Sequence, residues 1–109
     1  MAVSRKSLFQ SNPSAGVLTD AYTVPASTTT VITTINVANR SATATSFSIS
    51  HAVAGAADDN KQYIYATVPI AGNDTFQATT AIPCATTDKI RVLATAATLS
   101  IQAWGEELS

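Results

Sequence analysis

Residues 43–53, TATSFSISHAV, set Phe47, Ile49, His51 and Val53 at alternate positions with Ser46, Ser48 and Ser50 between them. A two-residue period belongs to an extended strand, whose successive side chains point to opposite faces. The same period recurs along the chain. Over 29–40, Val31, Thr33, Ile35 and Val37 alternate with Ile32, Thr34, Asn36 and Ala38. Over 62–70, Ile64, Ala66 and Val68 alternate with Tyr63, Tyr65 and Thr67. Over 88–95, Ile90, Val92 and Ala94 alternate with Lys89, Arg91 and Leu93, and Leu99, Ile101 and Ala103 share a face over 98–105. Shorter strands are expected at 17–24 and 75–80, with a loop at 54–61. No window carries a sustained 3.6-residue apolar repeat, so almost no helix is expected. Seven or eight short strands at near-regular spacing predict an all-β chain, a single antiparallel β-sandwich of jelly-roll or immunoglobulin-like type.

Three of the four prolines share one frame, a β-branched aliphatic before Pro, in VPAS (24–27), VPIA (68–71) and IPCA (82–85). Proline cannot donate to a ladder and is confined to strand ends, edges and bulges. The residue before it favours extended geometry, so Val24, Val68 and Ile82 can stay in a strand up to the stop. The three steps therefore read as strand ends. Residues 1–16 differ in texture: polar and Ser-rich, broken by Asn12-Pro13 and Gly16, with Leu8-Phe9 the sole large apolar pair. They are expected to form an extended N-terminal arm before a sandwich domain at 17–109.

Charged residues make up 12% of the 109 residues and the net charge is −1. The basic residues Arg5, Lys6, Arg40, Lys61, Lys89 and Arg91 are scattered, which leaves no stripe for nucleic acid. No run approaches the ~20 apolar residues of a membrane-spanning helix, and no signal peptide is expected from MAVSRKSLFQSNPS, which lacks an apolar run. Ala, Thr and Ser account for 48 residues. Much of the apolar content is thus alanine, which buries little area. Few charges and many small side chains suit a compact member of a larger assembly.

No cluster announces a chemistry. Cys84 is the only cysteine and reads as a small buried hydrophobe. His51, the only histidine, reads as a core-edge side chain with one hydrogen bond, since no second His or Cys can join it as a ligand. Asp58-Asp59-Asn60 and Gly72-Asn73-Asp74 read as turns rather than Ca²⁺ loops. Glu106-Glu107 read as a solvated tail end, their side chains pointing to opposite faces. Phosphate loops, dinucleotide turns and nucleophile elbows are missing from the sequence, so no catalytic, cofactor or metal residues are assigned. Tyr63, Tyr65 and Trp104 are assigned to a self-association surface, because Tyr and Trp are enriched at interfaces.

The segments LTDAYTVPASTTTVITTINVANRSATATSFSIS, YIYATVPIAGNDTF and TDKIRVLATAATLSIQAWGEE resemble small virion structural proteins of tailed bacteriophages. The matching motifs are Tyr22 to Ala26, Thr30 to Arg40, Val68 to Asp74 and Asp88 to Val92. The resemblance spans 17–107. It implies a β-sandwich that works by assembly: a capsid decoration or cement protein, trimeric, on the outer head, made in the bacterial host's cytoplasm. Its partner would be the major capsid protein, with neither nucleic acid nor membrane involved. The resemblance equally covers a tail, neck or fibre component bound to a tail protein. A host-receptor or glycan-binding module is the third reading, for which Tyr22, Tyr63, Tyr65 and Trp104 are the available aromatic platforms. On the capsid reading, residues 1–16 are a docking arm, with Leu8 and Phe9 as anchors and Arg5 and Lys6 pairing with acidic groups.

Overall fold

The computed structural model describes residues 2–109. Eight strands follow in order: β1 (Val3–Ser11), β2 (Thr19–Thr23), β3 (Thr29–Asn39), β4 (Thr45–Ala52), β5 (Tyr63–Ile70), β6 (Thr75–Cys84), β7 (Lys89–Ala94) and β8 (Leu99–Leu108). Two single-turn 3-10 helices, Val53–Gly55 and Asn60–Gln62, lie in the connection between β4 and β5. The strands form two antiparallel four-stranded sheets, ordered β1-β8-β3-β6 and β2-β7-β4-β5. Hydrogen-bonded pairs therefore include β1·β8, β2·β7, β3·β6 and β4·β5, whose numbers each sum to nine. That is the pattern of one long antiparallel ribbon wound around a core. Of the two expected sandwich types, the strand order is that of the jelly roll.

The core lies between the sheets. Ile32, Ile35, Val37, Leu99, Ile101 and Ala103 of the first sheet meet Phe47, Ile49, Ile90, Val92 and Ala94 of the second, and all are at most 1% exposed. Aromatic contacts close the two open sides. Phe9 of β1 stacks on Tyr22 of β2 at 6.5 Å between ring centroids. Phe76 of β6 contacts Tyr65 of β5 at 5.4 Å and Phe47 at 5.2 Å.

The four prolines lie on or just beyond the four edge strands. Pro13 follows β1, Pro25 follows β2 and its buried Val24, and Pro69 and Pro83 are the penultimate residues of β5 and β6. Proline there removes donors where a further strand would otherwise pair, which protects the edges against sheet-to-sheet aggregation.

Two bulges shift the strand registers, and the one in β3 corrects the expected alternation. In β3 the register shifts between Ile32 and Thr34, so Ile32 and Ile35 both point inward and Val31 points out. In β1 it shifts between Ser7 and Phe9, opposite the same stretch of β8. Gly105 sits at this level, and a Cβ there would lie 2.1 Å from the Val31 carbonyl oxygen and 3.0 Å from Ile32 Cα. The backbone of β3 can close on β8 only because position 105 has no side chain.

The N-terminal segment is also not an arm. Val3–Ser11 pairs along the length of β8, Phe9 is 8% exposed within the core, and Leu8 packs against it. The total accessible surface is 5562 Å², against about 5,700 Å² for a compact monomer of this mass. Among the described residues no segment stands off the sandwich as a free arm. Alternation alone could not show this, because residues 3–11 carry one apolar pair and find their partner strand ninety or more residues away.

Candidate functional site

All connections gather at two ends of the sandwich, and each end is held by one buried polar side chain. At the first, Asp88 (4% exposed) precedes β7. Its Oδ1 accepts from the Ala54 N–H at 2.8 Å, and its Oδ2 accepts from the Ala85 N–H at 3.0 Å and lies 2.8 Å from His51 Nε2. The Val24 N–H donates to the Asp88 carbonyl at 2.9 Å. The carboxylate thus ties the ends of β4 and β6 to the start of β7, and the backbone carbonyl of the same residue adds the end of β2. Burial alone would raise its pKa, but the hydrogen bonds from Ala54, His51 and Ala85 outweigh burial and hold it below the usual carboxylate value. The Ala54 backbone takes φ 56°, which aims its N–H at this carboxylate.

At the opposite end Asn39 (3% exposed) makes four hydrogen bonds. Its Nδ2 donates to the Thr43 and Ala71 carbonyls at 2.9 and 3.2 Å, and its Oδ1 accepts from the Ser41 N–H and Thr98 Oγ1, both at 3.1 Å. It joins three turns, those of β3–β4, β5–β6 and β7–β8. Gly72 belongs to the same joint, since a Cβ on it would fall 2.0 Å from the Ala42 carbonyl oxygen.

The singled-out side chains fall into this frame. His51 has its one hydrogen bond, to Asp88. Cys84 is a free buried thiol, and burial, with Asp88 adding to it, pushes its pKa up to about 11. Asp58-Asp59-Asn60 and Gly72-Asn73-Asp74 lie in connections, where the Asp59 side chain accepts from the Lys61 N–H at 3.2 Å. Among the described residues no three His, Cys, Asp or Glu side chains converge as a metal site would require.

Glu106 and Glu107 are not a solvated tail. They end β8, and they pair with the two cations of β1: Arg5 with Glu106 at 3.4 Å, Lys6 with Glu107 at 3.0 Å. Glu107 also accepts a short hydrogen bond from the Tyr22 hydroxyl, which lies 2.9 Å from Thr30 Oγ1. Burial, then the neighbouring carboxylate, raises Tyr22 to about 12. Hydrogen bonds from Tyr22 and Lys6 lower Glu107. The cluster plugs one end of the sandwich with polar groups that satisfy one another. Arg5, Lys6, Leu8 and Phe9 are thus engaged within the fold rather than presented on a tether.

Tyr63, Tyr65 and Trp104 do not make one surface. Tyr65 is opposite Ile49 and packs on the core, whereas Tyr63 is opposite Ser50, beside Asp58 and Arg91 on the outer side of the second sheet. Ser50, on the serine side of the β4 alternation, is 0% exposed. Arg91, opposite it on β7, reaches over to donate to the Ala56 and Gly55 carbonyls at 2.7 and 3.3 Å, which draws the 53–62 connection across this face. Trp104 lies on the outer face of the other sheet, 36% exposed.

That outer face is the least charged broad surface. One register row crosses all four strands as Gln10–Gln102–Asn36–Gln77. The next reads Ser7–Trp104–Thr34–Thr79. Gln10 Nε2 donates to Gln102 Oε1 at 3.0 Å and Gln77 Nε2 to Asn36 Oδ1 at 3.4 Å. Sequence reading missed this row, because its members lie on four strands whose order only the jelly-roll winding fixes. Asp88 and Asn39 escaped it for the same reason. Comparison with known protein families, curated proteins and solved structures finds no match to this chain.

Proposed function

We propose that this chain is a bacteriophage virion structural protein, a capsid decoration protein that binds the assembled head and stabilises it. One observation carries the reading. The four motifs behind the resemblance to small virion proteins are the joints of the fold, and they meet in pairs. Val24 of the first motif bonds Asp88 of the fourth, and the Thr87 N–H returns to the Val24 carbonyl at 3.2 Å. Asn39 of the second bonds Ala71 of the third through its side chain, and its N–H donates to the Asp74 carbonyl at 2.9 Å. Motifs that hold strand ends together are what a scaffold protein needs, and this supports the reading. The jelly roll supports the reading by fold-level analogy, since it is common among viral capsid domains.

The mechanism is linkage. A protein that binds the closed shell and not its separated subunits stabilises the shell by mass action. A trimer touching several capsomers adds effective concentration to each contact. With β1 folded into the sandwich, docking runs through the folded surface and not through an arm. The test compares heads assembled with and without this chain. Heads lacking it rupture at lower temperature or milder osmotic shock, and equal rupture thresholds reject the role. Light scattering on the isolated chain tests the trimer.

A further inference from the structure

The outer face around Trp104 has features that assembly does not require. On an exposed antiparallel sheet, solvent-facing positions ordinarily carry charges. Here the middle of the face carries amides, hydroxyls and one indole, and the charged side chains at one end are paired, Arg5 with Glu106 and Lys6 with Glu107. Two hollows flank Trp104 along the β1–β8 seam. One, of about 360 Å³, is bounded by Arg5, Thr33, Gly105 and Glu106. The other, of about 330 Å³, is bounded by Gln10, Asn12, Ser100 and Gln102. Both lie at the lower end of the ~300–1,000 Å³ typical of small-ligand clefts. From Ser100 to Glu106 the seam extends about 20 Å at strand rise, enough for a short linear ligand with the indole midway.

We propose that this seam is a binding site for a neutral oligosaccharide, stacked on Trp104 and hydrogen-bonded by the amide row. The chemistry follows from the side chains. A pyranose ring offers an apolar face of C–H groups and a rim of hydroxyls that donate and accept. Trp104 supplies the apolar platform, and its row neighbours Ser7 and Thr34 are too short to cover it. The amides are held in pairs. With Gln10 Nε2 donating to Gln102 Oε1, Gln10 Oε1 is left to accept and Gln102 Nε2 to donate. The second pair likewise leaves Asn36 Nδ2 as donor and Gln77 Oε1 as acceptor. Side chains held in place before binding lose less entropy on binding, which favours a weak polar ligand. The row crosses the strands at the inter-strand spacing of about 4.8 Å, so a ligand along the β1–β8 seam meets Gln10 and Gln102, with Asn36 one strand further across. Arg5 and Lys6 are paired with Glu106 and Glu107, and Arg40, at the Asn12 end, donates to the Asn12 side chain at 2.9 Å and to the Ala97 carbonyl at 3.2 Å. Cations committed to these contacts favour a neutral ligand over an anionic one.

Trp104 is the only tryptophan, so its fluorescence reports this site directly. The full chain is titrated with defined neutral oligosaccharides of glucose, N-acetylglucosamine, galactose, mannose and rhamnose, and calorimetry is run in parallel. At least one sugar produces a saturable change in Trp104 emission, with Kd between about 1 μM and 1 mM. Trp104→Ala weakens calorimetric binding by about tenfold, the scale of one aromatic stacking contact. Gln102→Ala, which keeps the reporter, weakens it several-fold, with the circular dichroism and Tm of both variants checked against wild type. Emission unmoved across the panel overturns the proposal, as does binding that survives Trp104→Ala. Emission that shifts with protein concentration alone, while the scattering mass doubles, also overturns it and assigns the face to a second copy of this chain.

Discussion

Replacing Asp88 by Ala removes the acceptor for three donors at once: the Ala54 and Ala85 N–H groups and His51 Nε2. A hydrogen bond to a charged group contributes about 1.5–3 kcal/mol, and orphaning a buried donor costs about 1–3 kcal/mol. The three share one carboxylate and do not add in full, so the expected loss is about 3–5 kcal/mol. Against a total of about 5–15 kcal/mol for a domain, that is a large fraction. At about 4–8 °C per kcal/mol for a chain of this size, Tm falls by about 15 °C or more. Asp88→Asn keeps one acceptor oxygen and turns an NH₂ toward a donor, so it falls between wild type and Asp88→Ala. The pH dependence has a definite sign. The folded pKa of Asp88 is lowered, so its contribution is complete above the unfolded carboxylate value of about 3.9 and is lost as pH falls through the folded value. The difference in urea-unfolding free energy between wild type and Asp88→Asn therefore shrinks as the solution is acidified. A loss under about 1 kcal/mol for Asp88→Ala at neutral pH, or a difference that grows on acidification, would refute the joint.

Gly105→Ala, by placing a methyl against the Val31 carbonyl and the β3 backbone, destabilises by more than the ~1–3 kcal/mol of ordinary overpacking, read as the shift in urea midpoint at constant slope. Asn39→Ala strands two carbonyls, a backbone N–H and the Thr98 hydroxyl; it costs about 2–4 kcal/mol, and hydrogen exchange accelerates in the β3–β4 and β5–β6 turns together. Alkaline titration of tyrosine absorbance shows one transition near pH 12 that disappears in Tyr22→Phe, whereas Glu107→Gln moves it downward. Cys84, with its pKa near 11, reacts with a thiol reagent at pH 8 only at the rate of unfolding, so urea accelerates the reaction and wild-type native protein is nearly inert.

The strands were legible where side-chain alternation is strict. Ile90, Val92 and Ala94 in β7, and Leu99, Ile101 and Ala103 in β8, occupy the inner face as their period requires. Alternation failed at the bulges, where one extra residue reverses the phase: Thr33 does so in β3, as Leu8 does in β1 where an arm was expected, and so does the irregular stretch of β5 around Thr67, whose φ is 49°. Gly105 was the signal available for the first two, because a lone glycine late in a strand marks a close backbone approach. The polar joints left no such trace. Asp88 and Ala54 are 34 residues apart, and Asn39 and Thr98 are 59 apart. The chain order carries these pairings only through the topology, and single-strand periodicity does not contain the topology.

The distribution of polar groups over the fold indicates where function can reside. Asp88, Asn39 and the Tyr22–Glu107–Lys6 cluster have their hydrogen bonds satisfied inside the molecule, so they are committed to holding the ends. The outer face of β2-β7-β4-β5 is partly covered by the 53–62 connection under Arg91. A proline stands at or just beyond the end of each of the four edge strands. The outer face of β1-β8-β3-β6 remains as the broad surface without such a commitment, and there the amides bond in pairs while half of their polar atoms stay open to solvent. Substitutions there leave every joint of the scaffold intact. Losses of binding without loss of stability are accordingly expected from Trp104, Gln102 and Gln10, and losses of stability first from Asp88 and Asn39.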